Sequence, residues 1–153
     1  NRGEYLMHTY KCKILRVVDG DTVDIDIDLG FGIWMHKERV RIHGIDTPES
    51  RTRDLQEKKY GLAAKAFVQK FLPVGSDQML ITEKDKTGKF GRILGKFLVY
   101  DGKTDSQIHL GEIMIREYHA VPYLGQSKEE VKNLHFTNRK HVQLDGLFND
   151  EEW

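Results

Sequence analysis

The chain has 153 residues, enough to bury one core, and its 39% hydrophobic and 31% charged composition is ordinary for a globular domain. Lysine plus arginine (24) balance aspartate plus glutamate (24), so any nucleic-acid footprint has to be local rather than carried by net charge. The single cysteine, Cys12, excludes an internal disulfide framework and a cysteine-type zinc site, and reads as a buried, inert thiol.

Tyr10 to Val18 sets Cys12, Ile14 and Val18 against Lys11, Lys13 and Arg16, which predicts a half-buried strand. Asp19-Gly20 follows, a dipeptide that tolerates the positive backbone angles of a tight hairpin. From Asp21 to Leu29 the alternation is clean: Val23, Ile25, Ile27 and Leu29 face one side, Asp24, Asp26 and Asp28 the other. Asp21 shares the parity of the apolar set, so it points toward the core side and needs a partner there. Asp24, Asp26 and Asp28 read as a solvated face. After the turn Gly30-Phe31-Gly32, a third strand from His36 to Ile45 puts Val40 and Ile42 on one face and Arg39, Arg41 and His43 on the other. Pro48 ends it.

Arg51 to Lys59 is polar and reads as an exposed, mobile loop. Gly61 to Leu72 carries the apolar stripe Ala64, Phe67, Val68, Phe71 and Leu72 and predicts a helix, stopped by Pro73 and Gly75. Gln78 to Glu83 predicts a fourth strand, Lys84 to Gly91 a basic turn, and Arg92 to Tyr100 a fifth strand whose core candidates are Ile93, Leu94, Phe97 and Val99. Leu110 to Tyr118 predicts a short helix and His119 to Gly125 an irregular segment. Ser127 to His141 predicts a last helix opened by a capping box, Ser127 with Glu130, and showing Val131, Leu134 and Asn138 on one face. Leu147 and Phe148 anchor its exit. Three strands, a helix, two strands and two helices make an α+β, mainly β chain. The arrangement is an OB-type five-stranded barrel with three helices. Residues 1–9 form an N-terminal extension, 10–148 the domain, and 149–153 an acidic tail.

Two acidic clusters, Asp19 with Asp21 and Asp46 with Glu49, flank the arginines Arg39 and Arg41. Carboxylates beside arginines suit a hard cation, which takes oxygen ligands, together with a phosphate, which the guanidinium clamps. The pattern is not an EF-hand, whose glycine and glutamate positions do not match. His36, His43, His109, His119, His135 and His141 are scattered without ligand spacing and read as surface or packing residues. The basic loop ending at Lys89 fits equally a solvated turn and a path for a nucleic-acid backbone. No run is apolar enough to span a membrane and none reads as a secretory signal. Secreted or periplasmic placement is expected if a signal has been removed, and cytoplasmic placement otherwise. A monomer without membrane association is expected.

VDGDTV (Val18 to Val23), RIHGIDTPE (Arg41 to Glu49) and KFGR (Lys89 to Arg92) resemble the staphylococcal nuclease family. So do Tyr60-Gly61, LGEIMIREYHA and the closing Gly146-Leu147-Phe148. The resemblance implies the OB barrel with three helices and a calcium-dependent phosphodiesterase acting on DNA and RNA, cleaving at the 5′ oxygen to leave 3′-phosphate ends. It also implies Asp21 and Asp46 as calcium carboxylates, Thr47 as a ligand through its backbone carbonyl, and Asp19 as a supporting group acting through water. Glu49 resembles the family's general base, and Arg41 and Arg92 its two phosphate-binding arginines. Arg39 has the same strand parity as Arg41, so periodicity leaves the two open and the resemblance selects Arg41. Lys89 and Tyr123 are the candidate substrate contacts; Leu124 stands where the family carries an aromatic, and Pro122 intrudes. The competing reading is a noncatalytic OB-type module that binds nucleic acid on the same scaffold.

Overall fold

The computed structural model describes residues 8–87 and 92–144. β1 (Thr9–Asp19) and β2 (Thr22–Gly30) form the first hairpin, with Ile14 opposite Ile25 and Asp19 opposite Thr22. β3 (Ile33–Ile42) returns along β2 and then pairs in parallel with β6 (Arg92–Asp101), setting Arg39 opposite Arg92 and Ile42 opposite Gly95. β5 (Asp77–Thr87) is antiparallel to both β1 and β6. The circuit β1–β2–β3–β6–β5 therefore closes into the expected five-stranded, OB-type barrel, with three helices among the described residues.

Inward-facing Ile14, Val23, Ile25, Val40, Ile42, Leu80 and Phe97 fill the barrel. α1 (Leu55–Phe71) caps it with Val68 and its C-terminal Leu72, and α2 (Leu110–Arg116) adds Leu110, Ile113 and Met114. Each such side chain contributes about 1.5–3 kcal/mol on leaving water. α3 (Lys128–Asn138) begins as its capping box predicts, with Ser127 Oγ accepting from the Glu130 N–H at 3.2 Å.

Several expectations are corrected. Arg51 to Lys59 is not all loop: α1 starts at Leu55, where the Asp54 carboxylate accepts from the N–H groups of Gln56 and Glu57 at 3.1 and 3.2 Å. β6 is shared, its first half pairing with β3 and its second with an unexpected β7 (Ser106–His109). The third strand stops at Ile42, and Ile45–Asp46 form a separate β4 paired with β8 (Val121–Pro122), inside the segment expected to be irregular. Leu29 follows the predicted parity but is 42% exposed, because the β2–β3 hairpin runs past the barrel. On α3 the buried face centres on Val131, and Leu134 lies outside it, 41% exposed. The basic turn expected from Lys84 is shorter, because β5 continues to Thr87; its remainder around Lys89, the anchors Leu147 and Phe148, and the acidic tail lie outside the described residues.

Gly20 keeps its hairpin without a positive φ; space is what requires glycine there. A Cβ at position 20 would lie 2.9 Å from Ala64 Cβ and 3.0 Å from Thr47 Oγ1. Gly61 is the stricter case. Glycine inside a helix costs about 1 kcal/mol relative to alanine, yet a Cβ at 61 would overlap the Glu49 carbonyl and lie 2.6 Å from the Ser50 nitrogen. α1 therefore packs backbone to backbone against the loop that carries Glu49.

Candidate active site

Asp21 closes the β1–β2 hairpin, and its backbone carbonyl accepts from the Ile42 N–H at 2.8 Å, tying it to the end of β3. Its carboxylate accepts from Thr22 Oγ1 at 3.0 Å and from the Thr47 N–H at 3.4 Å. Arg41, one residue before the end of β3, donates from Nη1 to the Ile42 carbonyl at 2.8 Å. Its Nη2 lies 3.4 Å from Asp21 Oδ2 and 3.5 Å from Asp46 Oδ1. One guanidinium nitrogen thus stands between the two aspartates. Both contacts are longer than the usual charge-assisted bond, so neither carboxylate is saturated by it.

Of the two arginines that periodicity left open, Arg39 is occupied elsewhere. It grips Asp24 bidentately, at 2.8 and 3.1 Å, on the outer face of the sheet. Asp26 accepts from the Lys37 N–H at 2.9 Å and Asp28 from the Gly30 N–H at 2.8 Å. The aspartate row is polar, as read, but it also braces the hairpin.

Asp46 lies on β4, paired with Val121 of β8. Thr47, Pro48 and Ser50 are buried, whereas Glu49 between them is exposed. Its carboxylate meets no hydrogen-bond or ion-pair partner among the described residues, while its backbone is clamped by Gly61. Burial pushes the Asp19 carboxyl up from the ordinary aspartate value, against the pull of a hydrogen bond with Ser50, and the neighbouring Asp21 charge adds to the rise. Asp19 is thereby tied to the Glu49 loop. Arg92 opens β6 opposite Arg39, so the ladder puts it on the same face of the wall as Arg39 and Arg41. Its Nε is buried with no hydrogen-bond partner among the described residues. Tyr123 is 46% exposed, and its N–H donates to the Gly44 carbonyl at 2.8 Å, which holds its segment beside β4. Lys89 lies outside the described residues.

His135 departs from its sequence reading. Its Nε2 lies 2.7 Å from Asp46 Oδ2, with the side chain only 12% exposed. The legible signal was its place four residues after Val131 on a capped helix. His119 and His141 behave as packing residues, the first stacked on Phe67 at 4.5 Å and the second on Tyr118 at 4.8 Å between ring centroids.

Residues 39–143 match the model of the staphylococcal nuclease homologue family. The chain belongs to this family. A thermonuclease of Staphylococcus intermedius is 39% identical over 83 residues, covering 53% of this chain and 44% of the relative. A thermonuclease of Staphylococcus hyicus is 29% identical over 129 residues, covering 83% and 64%. An uncharacterised protein of Bacillus anthracis is 30% identical over 119 residues, covering 77% and 50%. The chain thus spans less than two thirds of the length of these relatives. The family match begins at Arg39 and so omits Asp19 and Asp21. The fold restores them: the bond from Ile42 to the Asp21 carbonyl and the reach of Arg41 bring the first hairpin to the nuclease motif.

Proposed function

We propose that this domain hydrolyses phosphodiester bonds of DNA and RNA with calcium as its cation, cleaving at the 5′-oxygen side to leave 3′-phosphate ends. The reading is carried by the convergence of Asp21 and Asp46 on one nitrogen of Arg41, with Glu49 on the adjoining braced loop. Relatives named thermonuclease support it at the level of nuclease chemistry.

The donors fit calcium. Both are carboxylates, giving only hard oxygen, and both keep capacity beyond their contacts with Arg41. Among the described residues no three His, Cys, Asp or Glu side chains form a closed cage. Calcium completes a flexible shell with carbonyls and water. Asp21 and Asp46 would hold it with the Thr47 backbone carbonyl, and Asp19 would support the set. Bound there, calcium would supply positive charge beside the reacting phosphate.

The remaining work falls to the chain's own groups. The exposed Glu49 carboxylate accepts the proton of the attacking water. Arg41 and Arg92 present planar forks to the phosphate oxygens and offset the charge that grows during displacement. Tyr123 offers an exposed ring for a base, and Lys89 a cation for the backbone. Digestion of plasmid DNA and single-stranded RNA, with calcium and with chelator, tests the proposal. Calcium-stimulated cleavage to 3′-phosphate ends is expected. Oligonucleotide binding without turnover in any metal would reduce the domain to a binding module and overturn the reading.

A further inference from the structure

We infer that His135 is a positioning residue that fixes the Asp46 carboxylate so that a single oxygen, Oδ1, faces the site. This rests on the reading of Asp46 as a calcium carboxylate. Asp46 is the more open of the two aspartates, its side chain 30% exposed against 14% for Asp21. Asp21 is held by Thr22, the Thr47 N–H and Arg41. Asp46 has Arg41 on Oδ1 at 3.5 Å and His135 on Oδ2 at 2.7 Å. A neutral imidazole suffices for that bond, since its Nε2–H donates and the carboxylate accepts. Without it, a two-carbon side chain open to water has a loose contact to Arg41 as its remaining polar tether.

The helix that carries His135 is seated to deliver it. α3 is capped by Ser127, buries Val131, and donates from Asn138 Nδ2 to the Ala120 carbonyl at 3.2 Å. Ala120 adjoins β8, whose Val121 pairs with Asp46 itself. Asp46 is thus gripped through its backbone by β8 and through its side chain by α3. Orienting partners of this kind fix the direction of a ligating group, and their loss typically costs about 10–100-fold in metal affinity.

The test compares the whole protein with His135→Leu and His135→Gln. In the metal-free state, 15N imidazole spectra are expected to show His135 protonated at Nε2 and slow to exchange. Calorimetric titration is expected to show the calcium Kd raised about tenfold or more in His135→Leu. His135→Gln, which keeps a donor, recovers part of that affinity, while the two variants melt at similar temperatures. A wild-type calcium Kd in His135→Leu, or equal losses in both variants, overturns the positioning role. So does an Nε2 without its proton in the metal-free protein. A wild-type protein that binds no calcium instead overturns the reading of the site itself, and is told apart because the variants then have no affinity to lose.

Discussion

Two places among the described residues put an arginine between two carboxylates, and they are built differently. Arg116 donates through every nitrogen: Nη1 and Nη2 to Asp101 at 2.7 and 3.0 Å, and Nε to Glu117 at 2.8 Å. Asp101 also takes Thr104 Oγ1 at 2.7 Å, and Glu117 takes Lys103 at 2.8 Å. The Arg116 bonds, with those of Thr104, hold the Asp101 carboxyl well below its usual range. Arg41 serves Asp21 and Asp46 with one nitrogen at 3.4 and 3.5 Å. The first cluster is closed, because each partner has what it needs. The second is under-filled, and a pair of carboxylates with oxygen capacity to spare is what a cation can enter.

Substitutions at the open cluster should produce the largest effects, and those effects should appear in rate. Glu49→Gln should lower kcat by about 10²–10⁴-fold, and Arg92→Ala by about 10²–10³-fold, with melting temperature nearly unchanged. Steady-state kinetics beside calorimetric melting checks both halves of that statement. Arg116→Ala should invert the pattern, lowering Tm by several degrees while kcat and calcium affinity hold. An Arg116 variant that loses activity without losing Tm would erase the distinction. Gly61→Ala joins the two regimes. The added methyl meets the Glu49 backbone, so denaturant melts should show a loss of about 1–3 kcal/mol, and kcat should fall with it because Glu49 is displaced. The most gradual effect is a pH slope. Burial depresses the His119 imidazole from 6.5 to about 4, so between those values the unfolded chain binds a proton that the folded chain refuses. Stability should therefore hold above pH 6.5 and fall by up to about 3 kcal/mol as pH drops toward 4. In His119→Phe this limb of the melting profile should flatten, leaving the acid loss at the depressed carboxyls such as Asp101 and Glu117, which sets in as pH falls through the ordinary carboxylate range.

The barrel strands were legible because burial of one face imposes a two-residue period, as in Val23, Ile25 and Ile27. The start of α1 was not, since Gln56 to Lys59 carry no apolar stripe; the readable sign was Asp54 as a cap. β7 escaped because Ser106 to His109 is short and mostly polar, and only its place beside β6 makes it a strand. At the site, residue types were legible and partnerships were not. Arg39 and Arg41 share parity, and the register that gives Asp24 to one and the aspartate pair to the other is a tertiary property. The need for glycine at 20 and 61 comes from Ala64, Thr47 and Glu49, all distant in the chain. His135 finds Asp46 through a ladder two residues long, too short for any periodicity to betray.

The seam between β3 and β6 has one more consequence. Asp21, Arg41 and Asp46 come together within the first part of the chain, whereas Arg92 is placed on the same face of the wall only by that parallel pairing. A barrel that unzips at this seam would keep its acidic cluster and most of its helix while losing its second arginine. The proposed phosphodiester cleavage would then read out closure itself, and mild denaturant should silence it before the helical signal begins to fall.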